Sequence, residues 1–285
     1  MKSNCILFFF FLLASFTATA QMDDKFYFPS KKMAAIDDLK YEEVTLAADT
    51  AQVTGIFLKP AQKPKATVLF LHGAGGNVTS YLFMTQPLVA AGYQVFMIDF
   101  RGYGKSTGIP THLNIAQDGQ MVFDYLSKRK DVRGTKLILY GASMGSQIAV
   151  RLARENNSKV AALVLDGAIS SFTDIALHHA PAEHHPMIKQ LPSPYAAKED
   201  IKAVRNIPVL FIHSKEDKDV PFAQGETVFN NAGGDKTFLV YEGVHLEALK
   251  TNTSQVISAI NQLVKKNDPH APKTGQRPLG YRRVN

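Results

Sequence analysis

Five short apolar runs recur along the middle of the chain: Val68–Leu71, Val95–Ile98, Leu137–Tyr140, Val160–Leu165 and Val209–Ile212. None alternates apolar with polar residues, so each reads as a strand covered on both faces, as in a parallel sheet. Stretches with helical spacing lie between them, at 80–91, 114–128 and 144–155. Near the C-terminus, Val256, Ile257, Ile260, Leu263 and Val264 keep the same period. Strands alternating with helices of this length predict one α/β domain with a doubly wound, mostly parallel sheet. Two earlier runs, Tyr41–Ala47 and Val53–Leu58, read as a more exposed antiparallel pair, and with a later strand at Thr237–Tyr241 they bring the expected sheet to eight strands. The domain should span 21–264.

One interval breaks the rhythm. Between Asp166 and Pro208 the chain holds four prolines and the histidines His178, His179, His184 and His185. That interval is too long for a simple crossover and predicts a small helical cap, over about 167–206, inserted between the sixth and seventh strands.

The two ends differ in character. Met1-Lys-Ser-Asn is a short cationic start, Cys5–Phe16 is almost wholly apolar, and Ala18-Thr-Ala20 supplies a small-x-small pattern before Gln21. Residues 1–20 therefore read as a secretory signal peptide, too short in its apolar part to span a bilayer. Cys5 precedes that run instead of ending it, which argues against a lipoprotein. The expected location is periplasmic or secreted. Cys5 is the sole cysteine, so the mature chain must be held by its core and not by disulfides. No later segment has the length and apolarity of a membrane span. Much of the formal net charge of +7 sits in residues 265–285, where six basic side chains face one aspartate. The body between the ends is close to neutral, which argues against a nucleic-acid partner. The tail has three prolines and no apolar period, and reads as a disordered basic segment suited at most to weak contact with an anionic surface.

Two glycine-rich stretches resemble nucleotide sites without completing them. Gly104-Lys105-Ser106 has Asp99 where a phosphate loop needs glycine, and Gly102, Gly104 and Gly108 are spaced one residue too widely for a dinucleotide fingerprint. His72-Gly-Ala-Gly-Gly76 follows a strand but brings no phosphate-binding lysine. No cofactor is expected.

Gly141-Ala-Ser143-Met-Gly145 carries more. A chain of this length shows Gly-x-Ser-x-Gly by chance roughly one time in ten, so its context decides. The stretch lies between the buried run Leu137–Tyr140 and a helix beginning Met144-Gly-Ser-Gln-Ile, a strand–turn–helix context that strains the serine and requires small residues on both sides. A serine hydroxyl is too weak an acid to attack unaided and needs a base held by a third group. Downstream, Val209–Ile212 leads into Asp217-Lys-Asp-Val-Pro221, and a strand at Thr237–Tyr241 leads into Gly243-Val-His245. Each candidate follows the C-terminal end of a strand, the edge where such sheets carry their sites.

In these motifs and their order, the chain resembles an α/β-hydrolase fold serine hydrolase of the esterase/lipase and prolyl-oligopeptidase-like group, over roughly residues 40–264. The matching residues are His72-Gly73, Asp99-Phe-Arg-Gly-Tyr-Gly-Lys-Ser106, Gly141–Gly145, Asp217–Pro221 and Gly243–His245. The resemblance implies Ser143 as nucleophile, His245 as base and Asp217 as the acid that orients it. It implies an oxyanion hole from the backbone N–H groups of Ala74 and Met144. Asp219 and Asp166 are alternative acids; Asp99, Arg101 and His72 are expected to brace the oxyanion loop, and His213 to be strand-end packing. The paired cap histidines with Glu183 could ligate metal, but adjacent histidines rarely face one ion, so the expectation is no metal and a solvated cap bordering the substrate pocket. The implied activity is cleavage of a carboxylic ester, or of a thioester or amide, in a small acyl substrate. Peptidase and acyltransferase activity on the same triad, and a non-catalytic binding protein, are the alternatives.

Overall fold

The computed structural model describes residues 23–191, 193–266 and 281–283. The signal-peptide expectation for residues 1–20 and most of the basic tail lie outside the described residues. The strands, in chain order, are β1 Phe28–Pro29, β2 Lys40–Ala47, β3 Gln52–Lys59, β4 Thr67–Leu71, β5 Gly75–Gly76, β6 Gln94–Asp99, β7 Leu137–Ala142, β8 Ala162–Asp166, β9 Val209–Ser214, β10 Lys236–Tyr241 and β11 Tyr281–Arg283. The helices are α1 Leu82–Ala90, α2 His112–Lys128, α3 Gly145–Glu155, α4 Phe172–His179, α5 His185–Ile188, α6 Ala197–Asp200, α7 Phe222–Asn231, α8 Ala248–Thr251 and α9 Thr253–Lys266.

The main sheet has the order β11-β10-β9-β8-β7-β4-β6-β3-β2. Only β3 runs against the others, because it is antiparallel to both β2 and β6 while every other pairing is parallel. The continuous apolar runs are explained by cover on both faces. Leu69, Leu71, Phe96, Ile98, Leu139 and Leu165 pack on one face, with Ile115 and Phe123 of α2 and Ile148 and Leu152 of α3. Their neighbours in sequence, Val68, Phe70, Val95, Met97, Ile138 and Val164, pack on the other, with Met84 and Leu88 of α1 and Val256 and Ile260 of α9. β2 is exposed along most of its length, as expected of an edge, but β3 is buried, since β6 pairs on its far side and both its faces are covered.

Eight strands are those anticipated from the sequence. The ninth, β11, corrects the reading of residues 265–285 as lacking structure: Lys265 and Lys266 continue α9, and Tyr281–Arg283 pairs in parallel with Phe238–Val240. The reason is that β10 would otherwise present an unpaired edge, and an extended segment of any composition can satisfy its N–H and C=O groups. Between β8 and β9 the chain forms α4, α5, α6 and two short 3-10 turns, which make up the helical insertion. Among the described residues no helix is long and apolar enough to cross a membrane.

The strand order places the functional edge. From β4 the chain moves to β6 on one side, then returns to β7 on the other, so the order reverses at β4. At such a switch point the loops leaving two adjacent strands diverge and open a crevice. Those loops begin at His72 after β4 and at Ser143 after β7.

Candidate active site

Ser143 sits on the turn between β7 and α3 with φ of +52°, a left-handed conformation unusual for a residue with a side chain. Its N–H donates to the Asp166 carbonyl at 2.8 Å, and its own carbonyl accepts from Ser146 N–H at 2.9 Å. The turn is held by close contact. A Cβ at position 145 would stand 2.0 Å from the Leu71 carbonyl oxygen, and one at 141 would stand 2.6 Å from the Gly145 oxygen. The two glycines are what allow β7, α3 and the end of β4 to meet, and the strained serine is the result.

Beside the serine, the loop after β4 is fixed by His72. Phe100 N–H can only donate, so it assigns His72 Nε2 as acceptor at 3.4 Å and places the ring proton on Nδ1. Nδ1–H then donates to the Gly73 carbonyl at 2.6 Å. This bond sets the plane of the Gly73–Ala74 peptide, whose N–H is one of the two anticipated oxyanion donors. Burial pushes His72 down to about 4, which keeps it neutral. The next carbonyl, that of Ala74, accepts from Tyr103 Oη–H at 2.7 Å and Phe28 N–H at 2.9 Å. Met144, the other anticipated donor, lies at the start of α3, where N–H groups lack acceptors within the helix. Asp99 accepts from Val78 N–H at 2.8 Å behind the same loop, and burial raises it to about 6. Arg101 is locked onto buried Asp118, with Nη2 to Oδ1 at 2.6 Å.

The acid and base approach from the far side. His245 Nδ1 lies 2.6 Å from Asp217 Oδ2, while Asp217 Oδ1 accepts from Val220 N–H at 2.8 Å and Asp219 N–H at 3.0 Å. Burial would raise the Asp217 pKa, but the His245 bond and the backbone donors outweigh it and hold the carboxyl below its ordinary value. The His245 ring rests on Gly167, where a Cβ would approach Cε1 to 2.5 Å. Of the alternative acids, Asp219 lines the cavity with Ser143 and His245, but it is Asp217 that His245 meets. Asp166 Oδ2 accepts from Tyr140 Oη–H at 2.7 Å. Its Oδ1 is buried with no hydrogen-bond partner among the described residues, and burial raises this carboxyl to about 7.

His213 does more than fill a strand end. Its Nε2–H donates to the Val220 carbonyl at 2.9 Å and lies 3.5 Å from Asp217 Oδ2, so the ring backs the acid loop. The sequence carried a signal for this in the pair His213 and Asp217, four residues apart across a turn. The cap histidines act on the same loop: Nε2 of His178 and of His179 meet the carbonyls of Lys218 and Asp219 at 3.3 and 2.8 Å. Among the described residues no cluster of three or more histidine, cysteine or carboxylate side chains is placed to hold a metal ion.

Ser143, Met144, Ala74 and His245 all line one cavity of about 890 Å³. Ile169, Phe172, Ile175, Ala176, Met187 and Ile188 give it an apolar wall from the insertion and its approach. Lys25, Phe26 and Phe28 complete it from the N-terminal side, a contribution with no recognisable pattern in the sequence. A serine hydroxyl, two candidate N–H donors and a carboxylate-held imidazole facing an apolar chamber can perform acyl transfer.

Residues 62–191 match a family described as serine aminopeptidase, S33. The uncharacterized protein YfhR of Escherichia coli is 29% identical over 238 residues, covering 81% of this chain and 82% of its own. Protein bem46 of Schizosaccharomyces pombe is 27% identical, covering 70% and 68%. Among solved structures, an esterase of Pyrococcus furiosus superposes with a TM-score of 0.69 at 16% identity, over 85% of this chain and 98% of that one. A carboxyl esterase of Bacillus coagulans gives 0.63 at 18%, over 79% and 99%.

Proposed function

We propose, for a chain that has the α/β-hydrolase fold, a serine hydrolase that cleaves a carboxylic ester through an acyl-serine intermediate. Ser143 Oγ attacks the ester carbonyl carbon while His245 Nε2 takes its proton. Ala74 and Met144 N–H groups receive the charge that develops on the carbonyl oxygen. Collapse of the tetrahedral intermediate breaks the bond to the leaving alkoxide, and His245 returns the proton to it. Water then attacks the acyl-serine with His245 again as base, releasing the acid and restoring Ser143. Asp217 holds the imidazole with Nδ1–H toward itself and stabilises the cation formed in each half-reaction. The observation that carries the reading is the 2.6 Å contact of His245 Nδ1 with Asp217 Oδ2 on the wall shared with left-handed Ser143.

The test is labelling with a fluorophosphonate, together with hydrolysis of a p-nitrophenyl ester. Wild-type protein should label and turn over, and Ser143→Ala should do neither. A wild-type protein that does not label overturns the hydrolase reading, and a labelled Ser143→Ala protein overturns the choice of serine. Export belongs to the same proposal: secreted protein should lack residues 1–20 by intact mass.

A second reading, aminopeptidase activity, is favoured by the description of the matching family and by the carboxylate of Asp219 on the cavity wall. That carboxylate could receive a substrate's terminal ammonium. Amino-acid naphthylamides cleaved faster than acyl esters without an amine, and lost with Asp219→Asn, would select it.

A further inference from the structure

Lys25–Lys32 runs as a strap across the oxyanion side of the site. It is seated along its length: Phe28 N–H donates to the Ala74 carbonyl at 2.9 Å and Ser30 N–H to the Gly76 carbonyl at 2.8 Å, making β1 parallel to β5. Asn77 Nδ2 donates to the carbonyls of Ser30 and Lys32 at 3.1 and 2.9 Å, and Lys31 Nζ to the Ser106 carbonyl at 2.6 Å. At its leading end, Tyr27 Oη meets His112 Nδ1 at 2.5 Å, and Phe26 packs edge-on against Phe172 of α4 with centroids 5.5 Å apart. The strap therefore joins the oxyanion loop to the helical insertion, and the cavity lies beneath the join.

Apart from Lys25, its side chains that face that cavity are apolar. Phe26 and Phe28 stand on the wall with Ile175, Met187 and Ile188 of the insertion. Phe28 is 65% exposed and Met187 50%, so two large apolar side chains of this one cavity are left uncovered. Isolated exposed apolar residues are ordinary, but two on the wall of one chamber form a surface that an apolar ligand would cover. Polar side chains on the wall are confined to the reacting pair and to a few that include Lys25, His179, His184 and Asp219. A wall this largely apolar suits a hydrocarbon chain.

We propose that the strap is the specificity-determining wall of this site: Phe28, backed by Phe26, covers the outer part of a linear aliphatic acyl chain whose carbonyl lies at Ser143. The inference rests on the ester-hydrolase reading. Its main-chain seat on Ala74–Gly76 holds the wall in register with the oxyanion donors, so chain selection and carbonyl placement share one rigid element.

The experiment compares kcat/KM for p-nitrophenyl acetate and octanoate in wild type, Phe28→Ala and, as a control, Tyr41→Ala. Tyr41 is a half-exposed aromatic residue on β2, away from the cavity. Wild type should favour octanoate, and Phe28→Ala should lower the octanoate-to-acetate ratio about tenfold, the cost of uncovering much of one aromatic side chain. Most of the change should lie in KM for octanoate, and Tyr41→Ala should leave the ratio as it is. A labelled wild-type enzyme whose ratio is the same in Phe28→Ala overturns the strap proposal while leaving the hydrolase reading intact. An equal loss on both esters also overturns it, since that pattern belongs to a structural residue. Failure of wild type to label or to hydrolyse either ester removes the underlying reading instead.

Discussion

The floor and the roof of the cavity are held by different physics. The floor is steric: β4, β7 and α3 meet so closely that position 145 has no room for a methyl group, and Ser143 is forced into a left-handed conformation. The roof is held by discrete polar and aromatic contacts, namely the strap on β5, Phe26 on Phe172, and His178 and His179 on the acid loop. Ser143 thus stands on the part with no alternative packing, and the cavity-facing groups of the strap and the insertion on the part that can change by exchanging a few contacts. A scaffold that fixes chemistry and leaves selection to its connecting segments is the general division of labour in such folds.

Substitutions can break or sharpen this contrast. The largest effect should come from Asp217→Asn, which leaves the floor's shape intact but removes the charge that holds and stabilises the His245 ring. The rate should fall on the order of 10⁴-fold. Asp219→Asn, two residues along the same loop, should change ester hydrolysis by less than about threefold, because its carboxylate is not on the base. Equal losses in the two variants would place the acid wrongly.

Next is a pH effect from beneath the floor. Burial raises Asp166 from 3.8 to about 7, so between those values the folded protein keeps a proton that the unfolded chain has released. Its stabilising contribution is complete below about pH 4 and is lost as pH rises through 7. Asp166→Asn retains an acceptor for Tyr140 and removes that loss, so the variant should gain on wild type with rising pH, by up to about 4 kcal/mol. Denaturant melts from pH 4 to 8 check this, and the gap should stop widening above about 7. His72 and His112, pushed down to about 4 and 3 by burial, act in the opposite sense and cancel in the difference between the two proteins.

Gly145→Ala tests the steric floor directly. With no room for its methyl group, it should cost about 3 kcal/mol in the same melts. The roof should respond least. His178→Ala and His179→Ala each remove one exposed hydrogen bond, for about 1 kcal/mol or less. Their main signature should be a few-fold rise in KM with kcat nearly kept. A loss as large as that of Gly145→Ala would erase the distinction between roof and floor.

What the sequence made legible follows the same division. The buried parallel runs and the elbow could be read because their constraints are local: a strand covered on both faces must be apolar throughout, and a serine strained between close elements needs glycine on each side. The pairing of Asp217 with His245 could be anticipated because both follow strands at the edge where the loops converge. The strap was not, since Phe28 and Pro29 form too short a strand to show a period, and their partners at Gly75 and Gly76 lie far along the chain. The same holds for β11, whose three residues pair with β10 in a stretch rich in charge and proline. The cap histidines suggested a ligand cluster by composition, but His178 and His179 find backbone carbonyls forty residues away. No spacing within the insertion reports such a contact.

The strap also has a kinetic consequence. Its partners are Gly75, His112 and Phe172, so it can dock only after chain from both sides of the elbow has gathered. A segment seated on β5, α2 and α4 docks only once those elements are in place. In a refolding experiment the sheet and the reactive serine should return first, giving an enzyme that labels but does not yet distinguish acyl chains. Discrimination should arrive as a separate, slower phase.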